Sequence, residues 1–310
     1  MNRLPLLRKS RPRAGDAALW LCTGFATLLV VTILAVILFD VVRNGASRLT
    51  LGFLTQAPKD GMTAGGIFPA IFGTVALVLL MTIAALPAGV ATAIYLHEYA
   101  NPTARATRLV RIAVNNLAGV PSIVFGLFGL GFFVQFAGGS IDKLFFGGAK
   151  VYGQPALVWA ALTMAVLTLP VVIVATEEAL AAVSHDVRLA SSALGATKFQ
   201  TVTRVVLPQA VPGILTGAIL AISRGAGEVA PILFTGAAYY LPTLPHALHD
   251  QFMQLGYHVY VLATQSPDVD ATRPLLYSTV LVLLVLTFAL NASAIVVRSH
   301  MRRRISSHSS

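Results

Sequence analysis

Six stretches of this chain are long and apolar enough to cross a lipid bilayer, and that property constrains the fold more than any other. A helix advances about 1.5 Å per residue, so about 20 apolar residues cover a hydrocarbon layer about 30 Å thick. The stretches cover residues 17–39, 67–95, 112–136, 156–176, 213–238 and 275–297, and only the fifth contains charges. In lipid the backbone must satisfy its hydrogen bonds internally, and a helix does so within one segment. The expected fold is therefore all-α: a polytopic integral membrane protein with six transmembrane helices in one domain, residues 17–297. The composition agrees, with 56% hydrophobic and 11% charged residues among 310.

The net charge of +10 suggests either nucleic acid or a membrane surface as the basic chain's counterpart, and the distribution of charge decides between them. Fifteen of the 22 Lys and Arg residues fall in the N-terminus (1–16), the 97–111 and 176–210 loops and the C-terminus (298–310). Six fall in the alternate loops, and Arg224 lies inside a span. This asymmetry predicts cytoplasmic N- and C-termini. No basic patch is interleaved with aromatic residues in the manner that grips nucleic acid, so nucleic acid is excluded as a partner. The first apolar segment is too long for a cleaved signal and has no small-residue cleavage site after it, so a retained anchor is expected. A single cysteine, Cys22, permits neither an internal disulfide framework nor a cysteine metal site.

Pro69, Pro87, Pro121, Pro170 and Pro231 are each expected to kink or interrupt a span, and such breaks are tolerated where they line a cavity or pack on protein. Gly213, Gly217, Ala221 and Gly225 recur every four residues, a small-residue stripe suited to close helix packing. Beside it stand Arg224 and Glu228. A mid-bilayer arginine costs about 3 kcal/mol on insertion scales, and a carboxylate four residues away lies on the same helical face to offset that cost. The pair is either a structural ion pair or an oxyanion-binding element, for which a guanidinium has the right bidentate shape.

The 177–211 connection is longer than two membrane helices require. Residues 186–194 read as a helix, Gly195 as its left-handed cap, and Thr197 as the cap of a second helix running to Pro208. The series Leu189-Ala190-Ser191, then Gly195, Val205 and Leu207-Pro208 resembles the cytoplasmic signature of type I ABC importer permeases, with Leu189 where that family has glutamate. The resemblance implies that these seven residues dock an ATPase subunit. Segments 93–100, 116–129 and 223–235 are similar to phosphate importer permeases of the PstA type, most specifically in Gly119-Val120-Pro121-Ser122 and Arg224-Gly225-Ala226-Gly227-Glu228. That likeness implies a type I permease fold in the bacterial inner membrane. It also implies a substrate pathway touching Arg224, Glu228, Pro121 and Ser122. The implied partners are a second homologous permease, two ATPase subunits, an extracytoplasmic phosphate-binding protein and membrane lipid.

No Gly-x-x-x-x-Gly-Lys-Ser/Thr loop occurs, so no cofactor is expected on this chain, and ATP and Mg are expected in the partner ATPase. Nothing points to an enzyme: Glu177 and Glu178 are adjacent and diverge by about 100° on a helix. His246, His249 and His258 have no supporting carboxylate or cysteine set, so no metal site is expected. A permease for molybdate, sulfate or phosphonate shares most of these features, and an ATPase-independent secondary transporter shares fewer.

Overall fold

The computed structural model describes residues 14–266 and 268–306; the basic stretch 1–13 and the last residues, 307–310, lie outside the described residues. The helices of nine residues or more are, among the described residues, α1 (Ala14–Gly45), α2 (Phe68–Tyr99), α3 (Arg105–Leu117), α4 (Ser122–Phe145), α5 (Leu157–Ala181), α6 (His185–Ala193), α7 (Lys198–Gly227), α8 (Leu255–Thr264) and α9 (Val269–Ser306). Six of them, α1, α2, α4, α5, α7 and α9, contain segments long and apolar enough to span a membrane. A two-stranded hairpin pairs Pro58–Lys59 with Ala64–Gly65 between α1 and α2.

The centre is a packed group of α2, α5 and α7. Leu77 and Met81 of α2, Met164 and Leu167 of α5 and Ala226 of α7 share one buried cluster with Phe125 of α4. The small-residue stripe is the means of that approach. A Cβ on Gly217 would stand 2.7 Å from that of Ala175, and one on Gly213 would collide with Ala179, so α7 lies almost directly on α5. α1 is peripheral: Val41 and Gly45 are buried, while Trp20, Phe25 and most of its length face outward.

Two expected spans are divided. The stretch 112–136 is not one helix, because α3 ends at Leu117 and α4 begins at Ser122. Pro121 at the N-cap supplies no N–H, and Gly119-Val120 turn the chain before it. α3 is strongly amphipathic and carries Arg105, Arg108 and Arg111. The stretch 213–238 also breaks: α7 stops at Gly227, Glu228 is extended at φ −76°, ψ 136°, and a single turn, Ile232–Thr235, follows Pro231. At its other end α7 does not stop at Pro208. It runs on through a wide turn at Val202–Val206, in which Leu207 N–H bonds to Val202 O, so the ladder absorbs the missing proline donor. Pro87 and Pro170 lie inside continuous helices, and Pro69 sits in the first turn of α2.

The 239–274 segment, which the sequence leaves as an outer loop, is anchored by α8. Gln254 is wholly buried there: its Oε1 accepts Tyr257 N–H at 2.6 Å and its amide donates to Ala226 O at 3.4 Å. Leu255 N–H donates to Thr74 Oγ1 of α2 at 2.9 Å.

Candidate functional site: two broken helices and a docking segment

The breaks in α4 and α7 meet. A Cβ on Gly126, one turn into α4, would lie 3.0 Å from Ala230 O and 3.1 Å from Pro231, so the opening of α4 rests on the segment that ends α7. Val120 and Val124 line a wall with Val166 of α5, and Gly225 packs against Met81 and Met164. Arg224 lies in the last turn of α7, where the free carbonyl end favours a cation. Its Nε is 3.6 Å from Glu228 Oε1, and the side chains are 36% and 24% exposed. The expected pair therefore exists, but on a helix end and not on a helix face, since Glu228 is the cap. Pro121 is exposed and Ser122 half-buried at the start of α4, whose first N–H groups have no intrahelical acceptor. The opening of α4 thus meets the segment that follows Glu228, while Arg224 and Glu228 pair with each other at the end of α7; a guanidinium held by an exchangeable carboxylate can bind and release an anion.

At the opposite end of α7, α6 and the first turn of α7 form the expected helix-turn-helix. Gly195 has φ +83°, with Ala196 N–H bonded to Ser191 O at 3.2 Å and Gly195 N–H to Ser192 O at 3.0 Å, a left-handed helix stop. Thr197 and Gln200 form a reciprocal capping box. Leu189 and Ala190 are exposed, Ser191 is hydrogen-bonded through its hydroxyl to Thr201 Oγ1 at 2.9 Å, and Val205, Leu207 and Pro208 are half-buried. In the same segment Leu194 and Phe199 are 89% and 68% exposed, apolar side chains that the signature spacing did not single out.

Two arginines fasten helices at this end to the spans, one from α6 of the docking segment and one from α3, and sequence reasoning missed both. Arg188 of α6 pairs with Glu98 at the end of α2 and donates to Leu180 O of α5 at 2.7 Å. Arg111 of α3 is 3.0 Å from Glu177 of α5 and donates to Leu96 O of α2 at 3.0 Å. Each guanidinium thus binds the carboxylate of one central helix and a carbonyl of the other. Lys198 adds a contact, its ammonium lying 5.2 Å from the Tyr99 ring centre. The signal in the sequence was the charge at the ends of apolar spans, in Glu98 and Glu177, yet the partners are 90 and 66 residues away.

The three histidines of the 239–274 segment differ in setting. His258 is buried in α8, and burial alone pulls its pKa down to about 4. His249 Nε2 lies 3.7 Å from Asp250, whose carboxylate also accepts the N–H groups of His246 and Ala247. Those two backbone bonds hold Asp250 below the usual carboxylate range. Among the described residues no group of three or more His, Cys, Asp or Glu side chains is placed to hold a metal.

The family of binding-protein-dependent transport system inner membrane components matches residues 85–307. A probable ABC transporter permease, YqgI of Bacillus subtilis (strain 168), is 32% identical over 87% of this chain and 90% of its own length. The phosphate transport system permease protein PstA 1 of Mycobacterium tuberculosis (strain ATCC 25618 / H37Rv) is 31% identical over 97% of this chain and 92% of its own. Among solved structures, a bacterial alginate ABC transporter bound to its periplasmic protein superposes with a TM-score of 0.58 at 16% identity, covering 93% of this chain and 98% of that one. The inward-facing MetNI methionine ABC transporter gives 0.56 at 18%, covering 75% and 94%. These likenesses show the fold: the arrangement of spans is that of ABC importer permeases.

Proposed function

The chain belongs to the family of binding-protein-dependent transport system inner membrane components, and from that premise we propose that it is the permease subunit of an ATP-driven importer of inorganic phosphate. It is a multi-pass inner-membrane protein and a transport subunit. The observation that carries the reading is Arg224, half-buried and held 3.6 Å from a carboxylate where the fifth apolar stretch breaks, in a chain whose near full-length relatives include phosphate permeases.

An entering phosphate competes with Glu228 for the guanidinium, and the first N–H groups of α4, those of Ser122 and Ile123 after the Pro121 cap, supply donors from the other break. Release follows when Glu228 regains Arg224, so the carboxylate sets how tightly the anion is held. The pathway is completed by a second homologous permease. Of the two ATPase subunits in the complex, one docks on Leu189, Ala190, Ser191, Gly195, Val205, Leu207 and Pro208 of this chain and on the exposed Leu194 and Phe199. Mg and ATP belong to the ATPase subunits, and this chain binds no cofactor of its own. With both termini cytoplasmic, the 239–274 segment faces the extracytoplasmic phosphate-binding protein. Movement of α6 on ATP binding reaches α2 and α5 through Arg188.

Uptake of labelled phosphate by cells lacking and regaining this gene tests the reading, with arsenate, sulfate and molybdate as competitors. Restored uptake that arsenate alone suppresses is expected. Restoration of sulfate or molybdate uptake instead would assign the chain to another oxyanion, and uptake without an ATPase partner would make it a secondary transporter.

A further inference from the structure

At the end of the bundle away from the docking segment, α1, α8 and α9 enclose a trough of about 380 Å³ lined by Val41, Leu262, Val269, Leu276 and Val280. It opens into a second hollow of about 260 Å³ whose wall is polar: Arg43, Asn44 and Ser47 from the end of α1 and Arg273 from the start of α9. Arg273 and Tyr277 belong to both, so one continuous groove has an apolar length and a doubly cationic mouth. Among the described residues neither arginine has a carboxylate within ion-pair distance. The nearby acids are otherwise engaged or placed: Asp40 accepts the Asn44 amide at 2.8 Å, Asp268 Oδ1 accepts Ala271 N–H at 3.0 Å, and Asp270 stands in the first turn of α9. The corner is built firmly, since a Cβ on Gly45 would lie 2.6 Å from Tyr277 O, and Ser278 donates to Gly45 O at 2.7 Å.

We propose that this groove is a binding site for one anionic phospholipid, its acyl chain in the trough and its phosphate between Arg43 and Arg273. The charge pattern selects the occupant. A wholly apolar protein helix would leave two unpaired guanidinium groups at the mouth, and a free phosphate would leave the apolar trough unfilled. A phospholipid satisfies both in one molecule, with the polar and apolar parts in the order in which they occur at a membrane interface. The site is separate from the Arg224 region and makes α1, of whose described residues only Val41 and Gly45 are buried, dependent on the lipid around it.

The test uses the complete importer complex in detergent, titrated with a fluorescent phosphatidylglycerol and, separately, a fluorescent phosphatidylcholine. Saturable binding of the anionic lipid is expected. Arg43→Gln and Arg273→Gln should each weaken it about fivefold and together about 30-fold. Val280→Trp, which fills the trough and leaves both arginines, should also abolish it. Equal binding of phosphatidylcholine, full displacement by millimolar inorganic phosphate, or unchanged binding in Val280→Trp would each overturn the proposal. Absence of saturable binding in the complete complex would overturn it too, and would indicate that another subunit covers the groove.

Discussion

Replacing Glu98 by Gln removes one charge from the junction between the docking segment and the spans while keeping shape. Glu98 is 8% exposed at its side chain and Arg188 19%. Breaking a buried pair by removing one partner costs about 3–5 kcal/mol, because a buried charge is left unmatched. Three features reduce that figure here: Arg188 keeps its bond to Leu180 O, it is one-fifth exposed, and the glutamine oxygen still accepts a hydrogen bond. The remaining loss is that of one charge-assisted bond, about 1.5–3 kcal/mol, or a ten- to 150-fold rise in the population with α6 detached from α2. The assay is ATP hydrolysed per phosphate moved by the importer in proteoliposomes. We expect Glu98→Gln to keep its membrane level and bound ATPase while that ratio rises severalfold. Arg188→Gln should behave alike, and the double variant should be no worse than either single, since both remove the same interaction. An unchanged ratio in Glu98→Gln, with normal uptake, would refute the role of the pair in coupling.

Three further outcomes follow from the geometry. Gly195→Val adds a Cβ that would meet nothing within 4 Å, so its cost is the φ of +83° alone, about 1–2 kcal/mol. Copurified ATPase should fall about five- to 30-fold, and wild-type recovery would show that the left-handed turn is dispensable. His258, with a pKa of about 4 against an ordinary 6.5, stays neutral in the fold while the unfolded chain takes up a proton. Its contribution is intact above pH 6.5 and is lost as pH falls toward 4, at most about 3 kcal/mol. The thermal midpoint of His258→Leu should therefore drop less between pH 7.5 and 4.5 than that of the wild type; parallel curves would contradict this. A phosphatase fused after Ser310 should be inactive and a cytoplasmic reporter there active, and the reverse would overturn the orientation.

What the sequence revealed and concealed divides along physical lines. Spans α2, α5 and α9 were legible because apolar length is a local property. So was the docking turn, where a glycine, a threonine cap and their spacing act within ten residues. The breaks were harder. The Ile112–Leu117 stretch is apolar enough to join the following segment, and only Asn115, Asn116 and the arginine face of α3 betray its separate, amphipathic nature. Gly227 and Pro231 mark the end of α7, but a proline inside a helix is also tolerated, as Pro87 and Pro170 demonstrate. The arginine fastenings were concealed because Arg188 and Glu98 come together only through the tertiary packing of α2 on α5. The lipid-sized groove was concealed for the same reason, with walls from three separate helices.

Phosphate uptake in the Arg224 and Glu228 variants tests the central claim most directly. Arg224→Gln removes the guanidinium while keeping a side chain of similar length, and Glu228 is partly exposed, so the subunit should reach the membrane and bind its ATPase while uptake disappears. Arg224→Lys should restore little, since a point charge lacks the bidentate fork. Glu228→Gln should retain phosphate too tightly and slow uptake. The decisive variant carries both glutamines: the account predicts a normal membrane level with no phosphate uptake, whereas recovery of both level and uptake would reduce Arg224 and Glu228 to a structural ion pair and contradict it.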